Sequence, residues 1–153
     1  MNPFALFEKK IVYEGEVVDL KEKYRVSDKQ AYDGIGAAYF DIYKHDTKEK
    51  VGTCDLRFKN TGFMYYYGNV GYNIIESKRG HSYAYEACKV LFKIAKNEFD
   101  MHELIITCTR DNIASYNTLI KLNGEFIEEV DVPKDHHLYF MGEYTKCIFK
   151  YYL

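Results

Sequence analysis

Residues 70–91, Val-Gly-Tyr-Asn-Ile-Ile-Glu-Ser-Lys-Arg-Gly-His-Ser-Tyr-Ala-Tyr-Glu-Ala-Cys-Lys-Val-Leu, constrain the fold most: an apolar strand pattern runs through a short basic glycine turn straight into an amphipathic helix. The first backbone N–H groups of a helix have no partner within it and lie at the positive end of its dipole. A turn that lets a ligand approach them makes an anion site, suited to phosphate or pyrophosphate. Here the turn is Arg79-Gly80-His81-Ser82-Tyr83-Ala84. It lacks the Gly-Lys-Ser/Thr of a Walker loop and the three spaced glycines of a dinucleotide fingerprint.

A second strand and helix follow. Glu103–Thr109 reads as a buried strand, and residues 112–122 as a helix that stops at Asn123-Gly124. Upstream, Ile11–Val26 alternates apolar and polar residues about a turn at Gly15, and Ala37–Lys44 with Val51–Lys59 reads as a hairpin across residues 45–50. Tyr65–Ile75 is expected as a strand and Ser82–Phe99 as a helix, whose Ala84, Ala87, Cys88, Leu91, Phe92, Ile94 and Ala95 form a stripe wide enough to cover a sheet. Phe126–Val130 and Cys147–Tyr152 complete a mixed α/β arrangement, strand-rich at its start, as one domain over 1–153.

Taken in order, these motifs resemble the GNAT-type N-acetyltransferases, which bind acetyl-coenzyme A. Arg79-x-x-Ser82-x-Ala84 matches the family's Gln/Arg-x-x-Gly-x-Gly/Ala loop except at Ser82, which stands where the family has Gly. Asn112 and Ser115, then Lys121, Leu122, Gly124 and Phe126, match its Asn-x-x-Ser/Ala helix and closing turn. Val51-Gly52-Thr53-Cys54-Asp55-Leu56-Arg57 is similar to its central strand. The likeness covers roughly residues 51–126 and comes nearest to the ribosomal-protein acetyltransferase branch. It implies a GNAT-like acyl-CoA N-acyltransferase fold, here with a shortened, strand-rich start: residues 1–36 show little helical periodicity where the family has two helices that wall the acceptor site.

The resemblance also implies roles. Acetyl-CoA would be the co-substrate, its pyrophosphate on the backbone amides of Arg79, Gly80, His81, Ser82, Tyr83 and Ala84, its pantetheine arm paired along Ile74 and Ile75, and Asn112 and Ser115 facing that arm. Either Ser82 weakens the loop by blocking close approach, or its hydroxyl donates to a phosphate oxygen. The acceptor would be a primary amine. Deprotonating a lysine amine at pH 7 costs roughly 4–5 kcal/mol and an α-amine about 1–1.5, so a base matters more for lysine. Glu76 beside the loop is the first candidate and Asp55 on the neighbouring strand the second. Many members protonate the departing thiolate with a tyrosine at the position that is Leu119 here, which leaves Ser115, Tyr116 or Tyr139 for the role. The rival reading is a coenzyme A-binding or protein-interaction module of the same fold with weakened chemistry.

Composition narrows the partners. Lys+Arg of 21 against Asp+Glu of 23 gives a net charge of −2 and no field favouring nucleic acid or an anionic membrane. No apolar run reaches spanning length and the first residues do not read as a signal peptide, so a cytoplasmic location is expected. The four cysteines lack paired spacing and read as reduced, buried thiols, and His136-His137 lacks a third metal ligand at suitable spacing. The 16 tyrosines suit β-packing; Tyr65-Tyr66-Tyr67 and the C-terminal tyrosines also admit a groove or a homodimer contact.

Overall fold

The structure, a computed structural model, describes residues 11–153. Five antiparallel strands form the first sheet in the order β1 (Val12–Tyr13), β2 (Val18–Val26), β3 (Ala37–Lys44), β4 (Lys50–Arg57) and β5 (Val70–Ile74). A short helix, α1 (Met64–Tyr67), precedes β5, and the long helix α2 (Tyr83–Phe99) follows it. Then come β6 (Glu103–Cys108), α3 (Ile113–Lys121), β7 (Glu125–Asp131), α4 (His137–Phe140) and β8 (Thr145–Tyr152). The last three strands make a second sheet in the order β6-β8-β7, antiparallel throughout.

Alternation places Leu20, Phe40, Ile42, Cys54 and Leu56 on the inner face of the first sheet, where α2 buries Ala87, Cys88, Val90, Leu91, Ile94 and Ala95 against them. Each buried Val, Leu or Ile contributes roughly 1.5–3 kcal/mol of transfer free energy, so packing rather than propensity holds this helix. All four cysteines are free and buried. Burial pushes the thiols of Cys88 and Cys108 up to about 12 and about 11. No described helix is long and apolar enough to cross a membrane.

Among the described residues no helix precedes β3. Residues 27–36 join β2 to β3 as a loop in which Asp28 Oδ1 accepts from the Gly36 N–H at 2.7 Å. Among the described residues the outer face of the first sheet therefore carries no helical wall, in keeping with the strand-rich start expected from the sequence.

The stretch expected as one strand over Tyr65–Ile75 divides instead into α1 and β5. Gly68 separates them at φ 74°, and a Cβ there would stand 2.7 Å from the Ile105 carbonyl oxygen, so only glycine fits. The Arg57 guanidinium caps α1, donating to the Gly68 carbonyl at 2.9 Å and the Tyr67 carbonyl at 3.1 Å. The tyrosine triplet packs rather than lining a groove. Tyr66 and Tyr67 lie against the buried His136 ring, and Tyr65 donates to Glu128 at 2.9 Å. His136 accepts from the Leu138 N–H and meets the Phe63 carbonyl at 2.8 Å, so both ring nitrogens are used within the fold.

Asn69 fastens one sheet to the other. Its N–H donates to the Ile105 carbonyl at 2.6 Å, its Oδ1 accepts from the Ile105 N–H at 2.8 Å, and its Nδ2 donates to the Arg57 carbonyl at 2.9 Å. The side chain is 1% exposed. Beyond this clasp β5 and β6 are not paired, and a cleft opens between β5 and α3.

Candidate active site

The cleft holds about 510 Å³ and is bounded by the end of β5, the turn from Lys78 to Ser82, the first turn of α2 and the exposed face of α3. Its floor is set by strand register. Ile75 N–H donates to the Val51 carbonyl at 2.9 Å and Arg57 N–H to the Asn69 carbonyl at 2.6 Å. Because an antiparallel ladder alternates, Gly71, Asn73 and Ile75 spend their backbone groups on β4. Tyr72 and Ile74 turn theirs to the open edge, the place for an extended ligand arm to pair.

The turn is a nest of donors. Gly80 lies at φ 90°, Ser82 at φ 61° and ψ 25°, and the N–H groups of Gly80 to Tyr85 have no protein acceptor among the described residues. Successive N–H groups in such a conformation, at a helix N-terminus, suit an anion. Lys78, Arg79, His81 and Lys121 stand around it. Arg79 Nε donates to the Ile74 carbonyl at 3.1 Å, fixing the turn against the strand; Lys78 pairs with Glu49, and Lys121 lies over the Tyr85 ring at 4.2 Å. Ser82 makes no side-chain cap bond to α2.

Opposite the nest, Asn112 caps α3, its Oδ1 accepting from the Ser115 N–H at 3.2 Å. The Ser115 hydroxyl meets the Tyr72 hydroxyl at 2.6 Å. Burial pushes the Tyr72 phenol up to about 12, only partly offset by the Ser115 bond, so it keeps its proton at neutral pH. Leu119, one turn after Ser115 on α3, is fully buried, with its carbonyl accepting from Tyr151.

Of the residues singled out in the sequence, Ile74, Arg79, Gly80, His81, Ser82, Tyr83, Ala84, Asn112 and Ser115 converge on the cleft. Ile75 does not line it, and its N–H is spent on β4. Glu76 heads an exposed single turn of 3-10 helix outside it. Asp55 sits on the outer face of β4, bonded to Arg57 at 2.8 Å. Tyr116 packs edge-on against Phe149, and Tyr139 against Tyr144. The phenol that does reach Ser115 is Tyr72, which sequence reasoning missed. The signal was its place between Val70 and Ile74, on the strand residues that alternate toward α2. Among the described residues no group of three or more His, Cys, Asp or Glu could hold a metal ion.

A family model described as an acetyltransferase (GNAT) domain matches residues 10–125. No curated protein matches the chain. Among solved structures it is similar to a GNAT-family acetyltransferase from Bacillus anthracis, at 19% identity and TM-score 0.59, with 74% of this chain on 65% of that one. It is similar also to the ribosomal-protein-S5-alanine acetyltransferase from Vibrio fischeri, at 17% identity and TM-score 0.58, with 76% of this chain on 61% of that one. A third is RimL, a ribosomal L7/L12 alpha-N-protein acetyltransferase in complex with coenzyme A, at 11% identity and TM-score 0.66, with 94% and 98% covered. This chain thus spans somewhat less than two thirds of the first two proteins and nearly all of the third, and at such identities the likeness is one of fold. By the domain match, which takes in both the nest and Ser115, the chain belongs to the GNAT acetyltransferase family.

Proposed function

We propose that this protein transfers the acetyl group of acetyl-coenzyme A to a primary amine. The observation that carries the reading is the row of unpaired N–H groups from Gly80 to Tyr85, ringed by Lys78, Arg79, His81 and Lys121 and facing the open edge of β5. These residues fit a pyrophosphate at one end and an extended amide-bearing arm at Tyr72 and Ile74. Acetyl-coenzyme A supplies an activated thioester. The protein supplies position, a backbone donor for the carbonyl oxygen, and a proton for the departing sulfur. Ser115 is placed for the last role, with Tyr72 orienting its hydroxyl at 2.6 Å.

Some of the fold neighbours act on ribosomal proteins, RimL on an α-amine. A protein or peptide α-amine suits this chain too, since it loses its proton more readily than a lysine. The second reading, a coenzyme A-binding module with weakened chemistry, draws on Leu119, which fills the core where the resemblance expects a phenol. A melting curve with acetyl-coenzyme A tests the site: ligand at about a hundred times its dissociation constant adds roughly 2.7 kcal/mol, several degrees for a domain of this size. Thiol release on adding primary amines then separates enzyme from module. No melting shift refutes both readings, and a shift without thiol release for any peptide, lysine or alkyl amine leaves the module.

A further inference from the structure

Two of the four thiols face each other across a strand pair. Cys108 ends β6, Cys147 lies near the start of β8, and the antiparallel register sets them directly opposite. Opposite residues on such strands send their side chains to one face and keep their Cα atoms about 4.5–5.5 Å apart, inside the span of about 4.4–6.8 Å that a disulfide bridges. Both thiols are free and buried, and each perturbs the other's hold on its proton. They sit at the end of the second sheet. Residues 109–111, just past Cys108, and 142–145, just before the start of the pairing at Cys147, line a surface hollow of about 340 Å³. Cys54 and Cys88 are also neighbours, but they lie between the first sheet and α2 in the middle of the core.

We infer that Cys108 and Cys147 form a redox modification site, a dithiol that a small peroxide arriving at the hollow closes to a cross-strand disulfide. The site stands whether or not the protein transfers acetyl groups. The charges around the two sulfurs set the order of events. Burial raises both thiols, Cys108 to about 11. At Cys147 the Arg110 guanidinium and the Lys146 ammonium pull against burial, with Glu129 opposing them, which makes Cys147 the nucleophile. Its thiolate attacks one peroxide oxygen, the O–O bond breaks, and hydroxide leaves to take up the thiol proton, so the sulfur becomes a sulfenic acid. The Cys108 sulfur then displaces the hydroxyl as water and the S–S bond forms. Two thiols and one peroxide become one disulfide and two waters, with two electrons passing from sulfur to oxygen. The bond closes the segment that carries α3, β7 and α4. Asn112 and Ser115 lie on that segment, so one wall of the cleft becomes covalently tied to β8. Because the two residues are already paired, the staple acts chiefly by restricting the unfolded chain.

The test treats the intact chain with hydrogen peroxide at pH 8, stops the reaction with catalase, unfolds and alkylates the protein without reductant, and maps it by mass spectrometry. One bridge should appear, joining the peptides of Cys108 and Cys147, with Cys54 and Cys88 alkylated as free thiols. The bridged protein should melt several degrees higher, and dithiothreitol should return it to its starting value. Cys147→Ala should abolish the peroxide-dependent rise and Cys54→Ala should keep it. A bridge to Cys54 or Cys88, four free thiols after exposure, Cys147 carried on to sulfinic acid without a bridge, or a bridged protein that melts no higher overturns the assignment. The peptide map is read on the native sequence, so it decides the question even where a variant fails to fold.

Discussion

Replacing Ser82 with glycine should stabilise this protein, against the usual direction of a glycine substitution. Ser82 holds φ 61° and ψ 25° at the N-cap of α2, a left-handed conformation that costs an L-residue about 1–2 kcal/mol. Its side chain makes no cap bond, so no interaction is lost with the hydroxyl. Glycine relieves the strain and gives back roughly 0.5–1 kcal/mol through the freedom of the unfolded chain. The net is about 0.5–1 kcal/mol, a rise of about 1–4 °C at roughly 2–4 °C per kcal/mol for a chain of this length. Differential scanning fluorimetry and urea midpoints on the ligand-free protein measure it. Ser82→Ala is the control, since it removes the hydroxyl and keeps the strain, and its stability should match the native protein. A Ser82→Gly melting temperature at or below the native one would refute the strain argument. With coenzyme A added, the two variants also answer the question that the sequence posed: a tighter Ser82→Gly alone means the side chain obstructs the loop, whereas weaker binding by both means its hydroxyl donates to phosphate.

Gly80→Asp should weaken coenzyme A at least tenfold, about 1.4 kcal/mol, because a carboxylate then faces the nest. Gly80→Ala carries the same φ of 90° and meets nothing within 4 Å, so titration calorimetry on the pair isolates charge from strain. Asn69→Leu should cost about 2–6 kcal/mol in urea unfolding, as the Ile105 N–H and the Arg57 carbonyl each lose a buried partner worth about 1–3 kcal/mol; a loss under 1 kcal/mol would mean the clasp is dispensable. Asp19 sets an acid limit. Burial alone would raise its carboxyl, but the Lys48 ammonium, His45 and the Gly15 N–H together outweigh burial and hold it below the usual carboxylate range. A depressed folded pKa gives stability that is present above the unfolded value of about 3.9 and is lost as pH falls through the folded one. Asp19→Asn should therefore be less stable at pH 7, and the gap should close below about pH 4; a gap constant with pH would remove Asp19 from acid unfolding.

Periodicity in the sequence placed α2, α3, β3 and β4 because each buries one face and its pattern repeats at the matching period. It misread Tyr65–Tyr67, where three aromatics suit a strand locally and the deciding contacts come from residues far along the chain: Arg57 capping the carbonyls and His136 taking the rings. Helix α4 was invisible for the same reason, being a single turn fixed by the His136 cap. At the site, the loop and Asn112 were legible because helix N-termini leave a local signature. Where Glu76 and Asp55 stand relative to the cleft was not legible. Adjacency to the loop favoured Glu76, but the turn that makes the nest also carries Glu76 out to solvent, and only strand pairing shows that Asp55 stands beside a glycine.

The same pairing explains how a hydroxyl reaches the cleft without a tyrosine at position 119. In α3 Ala114, Ser115, Asn117, Thr118 and Lys121 line the cleft, while Leu119, one turn after Ser115, is buried in the core. Tyr151 closes that side by donating to the Leu119 carbonyl at 2.7 Å, and Gly124 leaves room for the Tyr151 ring, which a Cβ would meet at 2.4 Å. A phenol at 119 would have to displace this packing before it faced the ligand. The strand offers the shorter route. Tyr72 is one of the β5 residues with backbone groups at the open edge, so a single residue gives the cleft both a main-chain donor and, through Ser115, an oriented hydroxyl. In the proposed acetyl-transfer reading the oxyanion donor and the phenol that orients the Ser115 hydroxyl then both sit on β5, which Asn69 locks to β6, so the spacing between them depends on the buried clasp.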